Sequence, residues 1–401
     1  MGALAIFLGG ALALALFDPA RIGVFLSVTA LSAFAVVGDL GLTYSLLLAA
    51  SSRPPEQAGS VGRAALAAAL PTVPVTSAVL FLGGAALLLK GNADAGRWLW
   101  PWIAFCAISG IQLVLTLALA YVEGTGRRHA VWRANFWIEI AASTVFVGLI
   151  AFQQELWAIA AAVSVRSVLL ALILFFRFEF PALAGPGSLF ALWREELWPM
   201  QWKSLLNSLA VLLTTRLLTP ILLAVQGAAA AGQIGLVLVL TYLMAATASV
   251  LPLSQTALYA SLYYQGRSGE LKQAFRRTFT IGTALAVLFF AGAGIACSVI
   301  REYSPYMAAR LPQIPVIWLV LAITPISYVT NCFAIAIRSQ RADPGVIPNL
   351  LLTVPSMVII WFAARHSALA FSVTYLVTTT TVAVMYGYLF WRFVRHMPRT
   401  G

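Results

Sequence analysis

Charge is what this 401-residue sequence has least of. Only 9% of its residues are Asp, Glu, Lys or Arg, against 61% that are hydrophobic. A folded domain must still cover itself with polar groups, so a soluble core cannot absorb that much apolar surface. A water-soluble globular protein is excluded. Cysteine is also scarce: Cys106, Cys297 and Cys332 stand apart inside apolar stretches, without the spacing of a disulfide framework or a metal site. They read as small packing residues. The three histidines, His129, His366 and His396, fall in loops or in the tail, and neither G-x-S-x-G nor a P-loop occurs. No acidic pair stands in a sizeable loop. Nothing assembles covalent chemistry, so the expectation is a protein that is not an enzyme and needs no cofactor or metal.

What the sequence has in abundance is long hydrophobic runs. A bilayer core of about 30 Å is crossed by about 20 helical residues rising about 1.5 Å each. Gly2 to Phe17 is about a turn short of that and has no basic residue before it, so it reads as a short first helix rather than a signal peptide. A translation start upstream of Met1 would account for the missing turn. A second span runs from about Gly23 to Ala50 with Asp39-Leu-Gly41 inside it, and a third carries Pro71 and Pro74 and ends near Lys90. Internal prolines remove backbone donors, which predicts a bent third helix. Trp98, Trp100 and Trp102 open the fourth span in the manner of an interfacial belt. The fifth holds Glu139 and the sixth Arg166, joined by the tight turn Phe152-Gln-Gln-Glu155. Six further spans follow at about 197–225, 232–262, 278–300, 314–337, 346–364 and 369–391, several interrupted by Pro220, Pro252, Pro325 and Pro355.

The layout repeats weakly. Arg21-Ile-Gly-Val-Phe-Leu26 and Ala231-Gly-Gln-Ile-Gly-Leu236 each head a long apolar helix after a short turn. Two halves of similar design are a common transporter pattern. The expected fold class is an all-α polytopic membrane protein with about 12 transmembrane helices in two pseudo-symmetric six-helix bundles, 1–180 and 197–401, joined by a cytoplasmic linker at 181–196 with Pro181, Gly185, Pro186 and Gly187. Orientation follows from the basic residues. Even-numbered loops and the tail hold most of them, including Arg53, Arg63, Arg127, Arg128, Arg133, Arg267, Lys272, Arg276, Arg277, Arg392 and Arg395. Odd-numbered loops hold only Arg21, Lys90, Arg97, Arg301, Arg310 and Arg365. Both termini are therefore expected on the cytoplasmic side of the cell inner membrane, and the net charge of +12 reflects topology rather than nucleic-acid binding.

Five charges lie inside spans: Asp39, Glu139, Arg166, Lys203 and Arg216. Such groups cost roughly 2.5–3.5 kcal/mol each at a helix centre and face a bundle interior or a wet cavity. Glu139 and Arg166 lie at nearly equal depth, about 14 and 13 residues from the middle of the 152–155 turn, on antiparallel neighbours. An ion pair is geometrically easy, either as a structural pair or with Arg166 facing a cavity and Glu139 tuning it or carrying a proton. Arg216 lies too deep to reach the cytoplasmic surface. It snorkels outward or points into the lumen, where a guanidinium suits phosphate or carboxylate. Lys203 is either an interfacial lysine among Trp198 and Trp202 or a group that admits an anionic headgroup. Asp39 either pairs with a basic group of another helix or forms a coupling-ion site. Tyr242, Thr247, Ser249 and Ser254 line a polar cavity or serve helix packing.

Ile22-Gly-Val-Phe25, Asp39-Leu-Gly-Leu42, the run from Trp198-Pro-Met to Thr215-Arg216, and Ala231-Gly-Gln-Ile234 resemble the polysaccharide-exporter (Wzx-type flippase) branch of the MOP superfamily, which also holds the MATE multidrug exporters and the lipid II flippases. The resemblance covers nearly the whole chain in layout. It implies an inner-membrane flippase that moves undecaprenyl-diphosphate-linked oligosaccharides by alternating access, with a cationic central cavity for the anionic headgroup, for surface polysaccharide (O-antigen) synthesis. It implies Arg166, Arg216 and Lys203 as substrate-binding groups, Asp39 and Glu139 as coupling or ion-pair groups, and membrane lipids and polysaccharide polymerase machinery as partners. One departure stands out: the family often has an Asp-Arg pair where this sequence has Thr215-Arg216. The alternatives are a MATE-like cation-coupled exporter of small organic molecules, which needs accessible carboxylates, and a polymerase or ligase. The last would present a larger exterior loop than Arg301 to Pro312.

Overall fold

The computed structural model describes residues 16–39, 41–51, 55–90, 95–177, 189–255, 266–338 and 345–395, and the isolated positions 12, 258, 259, 262 and 263. Every element among them is helical. Eight helices are long and apolar enough to cross a membrane, and up to ten spans result if each of two bent pairs is one. The protein is an all-α, multi-pass membrane protein. Of the other expected spans, Gly2–Phe17 lies almost wholly outside the described residues, and the second is broken in the middle.

Two compact units emerge, Met1–Ala231 and Gly232–Gly401. The first contains α1 (Pro19–Ser32), a 3₁₀ segment (Ala33–Asp39), α2 (Leu42–Ser51), α3 (Pro55–Ala69), α4 (Thr72–Lys90), α5 (Ala95–Gly124), α6 (Arg128–Ala151), α7 (Glu155–Arg177), the single turn α8 (Leu189–Leu192) with a π-helical turn (Trp193–Leu197), α9 (Trp198–Arg216) and α10 (Leu218–Gln226). Its boundary falls later than the expected 181–196 linker, much of which lies outside the described residues. The reason is packing: α9 lies on α2 and the 3₁₀ segment, and α10 lies on α1 and α4.

Local sequence explains the breaks. Asp18 caps α1, accepting the Arg21 N–H at 2.7 Å, with Pro19 pre-set for the first turn. After Ser32 the helix tightens into the 3₁₀ segment and stops at a turn where Gly41 has φ +78°. That conformation is open to glycine and costly for a side chain. The α3–α4 span bends by 41° across the Leu70-Pro71 break, as its prolines predict. The α9–α10 span bends by 44° at Leu217. At the α6–α7 reversal Gln153 takes φ +59°, and the Arg21 guanidinium reaches across to Glu155, donating from Nε at 3.1 Å and from Nη2 at 2.9 Å. Glu155 is only 5% exposed, so this forked pair pins the start of α1 to the start of α7.

Lipid tails give no hydrophobic drive for helix association, so tight packing of small against large residues has to supply it. The tryptophans of the fourth span show this. Trp98 and Trp102, four residues apart and so on one face, are 2% and 1% exposed, whereas Trp100 between them is 66% exposed. The expected belt is thus one outward indole and two core residues, with Trp102 lying against Gly84 and donating to the Phe81 carbonyl at 3.4 Å.

The second unit holds α11 (Ala228–Ser254, whose first turn precedes the boundary), α12 (Ser268–Tyr303), the single turn α13 (Pro305–Ala308), α14 (Ile314–Leu321), α15 (Ile323–Arg338), α16 (Val346–His366) and α17 (Ala368–Arg395). Tyr328 on α15 fills the space that Gly282 leaves on α12 and donates its hydroxyl to the Thr278 carbonyl at 2.9 Å. Nearer the α17 C-terminus, Phe275, Phe279, Phe333 and Phe390 form a stack with ring centroids 4.4–6.2 Å apart. Such stacks fix three helices against one another.

Candidate functional site

Charges buried in a membrane protein need polar company, and in the first unit they find it together. Asp39, Glu139, Arg166 and Arg216 all line one cavity of about 270 Å³. Asp39 arrives there because the 3₁₀ segment ends at it. Its Oδ1 accepts the Gly41 N–H at 2.7 Å, and it has no ion-pair partner among the described residues. Irregular backbone at membrane depth persists only where protein or a water-lined cavity satisfies it, and this break borders the cavity.

Glu139 on α6 and Arg166 on α7 form an ion pair, Nη1 to Oε1 at 2.9 Å, with both side chains a little over a quarter exposed. Equal depth on neighbouring antiparallel helices, read from the sequence, is what brings them together. Arg166 Nε is buried and has no hydrogen-bond partner among the described residues. Arg216 reaches the cavity from the last residue of α9, where the span bends. Its neighbour Thr215 donates its hydroxyl to the Val211 carbonyl at 2.7 Å and carries no charge, so it does not supply the acid of an Asp-Arg pair.

Lys203 is placed elsewhere. It is exposed, with its ammonium 5.7 Å from the Trp202 ring centroid, and it does not line the cavity. Its ammonium thus stands beside a tryptophan, apart from the charged groups of the cavity. The cavity also takes in Thr29, Ser32, Ser109, Gln112 and Thr116, which attention to formal charge passes over. Gln112 was the available signal, an amide in a strongly apolar span. Thr29, Ser32, Ser109 and Thr116 donate to carbonyls of their own helices, at 2.7–2.8 Å, which leaves their acceptor lone pairs for a guest. Two carboxylates and two guanidiniums balance, so the site is a polar, near-neutral chamber rather than a cationic basin.

The second unit contrasts with it. Among its described residues the charged ones lie in connections or within about three turns of a helix end. Asn331 Nδ2 donates to Ser249 Oγ at 3.1 Å and the Tyr242 and Tyr375 hydroxyls lie 3.4 Å apart, while Thr247 and Ser254 turn to carbonyls of their own helix.

No family model and no curated protein matches this sequence. Solved structures do. A multidrug resistance MATE family transporter of the MOP superfamily, in an inward-facing conformation, is similar with a TM-score of 0.76 at 12% identity, over 99% of this chain and 95% of that one. A MATE protein in complex with MaL6 gives 0.63 at 14% identity, over 98% and 93%. A MOP superfamily transporter from Pyrococcus furiosus, whose reversed binding-pocket polarity was taken to suggest a different function, gives 0.60 at 12% identity, over 99% and 93%. The neighbours are transporters, and the chain has the fold of the MATE transporters of the MOP superfamily.

Proposed function

We propose that the protein is a cation-coupled exporter of small organic molecules, of the MATE kind, working by alternating access in the cytoplasmic membrane with both termini inside. The observation that carries this reading is Asp39: a carboxylate on the cavity wall, held by one backbone N–H and by no ion pair among the described residues. Glu139 is matched by Arg166, so Asp39 is the acid left to take up a proton or a sodium ion. Neutralising it weakens its bond to the Gly41 N–H, which ties cation occupancy to the geometry of the break between the 3₁₀ segment and α2. The likeness to a multidrug resistance transporter supports the substrate class.

The competing reading is a lipid-linked oligosaccharide flippase. It is favoured by Arg166 and Arg216 reaching one cavity and weakened by the carboxylates that offset them. Proteoliposomes separate the two. Efflux of a fluorescent organic cation driven by a proton or sodium gradient, abolished in Asp39→Asn, supports the exporter. Protein-dependent exposure of a labelled undecaprenyl-diphosphate oligosaccharide, lost in Arg216→Ala, with no cation efflux, overturns it.

A further inference from the structure

α12 is longer than the membrane requires. Its 36 residues extend about 54 Å at about 1.5 Å each, against a hydrocarbon core of about 30 Å. The uncharged stretch 278–300 suffices to cross, so about three turns, 268–277, project beyond it. Lys272, Arg276 and Arg277 are exposed on those turns. The local acid, Glu270, is occupied by Arg267 at 2.6 Å, and the other described acid of the unit, Glu302, sits at the opposite end of the same helix.

These cations stand on a fixed platform. Leu271 is 3% exposed and, with Phe275, packs among Tyr259, Leu262 and Phe393. The Phe275 ring lies 4.4 Å from that of Phe390, which ties this end of α12 to the end of α17. There Arg395 is exposed, its guanidinium 3.6 Å from the centroid of the half-exposed Trp391. Exposed indoles and basic groups just beyond an apolar stretch lie at the level of lipid headgroups.

We propose that this foot of the second unit, formed by Lys272, Arg276, Arg277 and Arg395, is a binding site for the headgroup of an anionic phospholipid. Charge selects the lipid, and the aromatic stack fixes the helix ends that carry the cations, so no flexible loop has to be ordered. The site is independent of what the protein transports.

The test is a titration of the full-length protein in neutral detergent with short-chain phosphatidylglycerol, phosphatidylcholine and inorganic phosphate. It is read from the Trp391 fluorescence component, taken as the difference from Trp391→Phe. Phosphatidylglycerol binds saturably and phosphatidylcholine does not. The triple variant K272Q/R276Q/R277Q binds about a hundredfold more weakly, roughly fivefold per cation removed. The charge-conserving K272R/R276K/R277K binds within about threefold of wild type, so loss of folding cannot be mistaken for loss of the site. Equal binding of phosphatidylcholine, saturation by phosphate alone, or an unchanged affinity in the triple Gln variant overturns the proposal.

Discussion

Replacing Glu139 by Gln leaves the Arg166 guanidinium on the cavity wall with its ion-pair partner gone. Breaking a fully buried pair costs about 3–5 kcal/mol, and an exposed pair contributes about 0–1 kcal/mol. With both side chains a little over a quarter exposed to a polar cavity, the cost falls between these limits, at about 2 kcal/mol, or roughly a thirtyfold change in the folded population. Arg166→Gln strands the carboxylate instead and costs a similar amount. The double variant, with two neutral amides still able to hydrogen-bond, returns to within about 1 kcal/mol of wild type, which gives a coupling of about 3 kcal/mol across the cycle. Denaturant titration in detergent, followed by tryptophan fluorescence, measures it. Additive single effects, with coupling near zero, would refute the claim that the pair is what lets these charges sit at membrane depth. Transport assayed on the double variant then separates the roles. Recovery of stability and activity marks a structural pair, whereas recovery of stability alone marks a working part of the cavity.

Asp39→Asn keeps an oxygen to accept the Gly41 N–H, so stability changes by less than about 0.5 kcal/mol while gradient-driven transport falls to background; a large drop in stability would instead make Asp39 structural. Gly282→Ala drives a methyl into the Tyr328 ring, displaces its bond to the Thr278 carbonyl and costs about 1–3 kcal/mol, read as a lowered thermal midpoint. Arg21→Ala leaves the nearly buried Glu155 without its forked partner and destabilises by about 2–3 kcal/mol, whereas Arg21→Lys keeps one bond and loses less. Lys203→Gln changes transport less than about twofold, because the ammonium stands among exposed groups away from the cavity.

Much of this molecule is determined by the order of its residues alone. Long runs without charge can do nothing but cross a bilayer as helices, since a backbone in lipid must satisfy its own hydrogen bonds. Pro71 and the break before α4 follow from a missing donor. The Glu139–Arg166 pair follows from counting residues on either side of one turn, because helical rise converts sequence distance into depth. Rotation about the helix axis is another matter. Depth alone does not say that Trp98 and Trp102 turn inward while Trp100 turns out, nor that Lys203 misses the cavity Arg216 enters. In a chain apolar on every side, hydrophobic periodicity is too faint to mark a face, and only neighbouring helices choose one. The same holds for Gln112, Thr29 and Ser32. Their polarity was visible, but tertiary packing decided that α1, α5, α6, α7 and α9 bring them round one chamber, and that α9 and α10 belong to the first unit rather than the second.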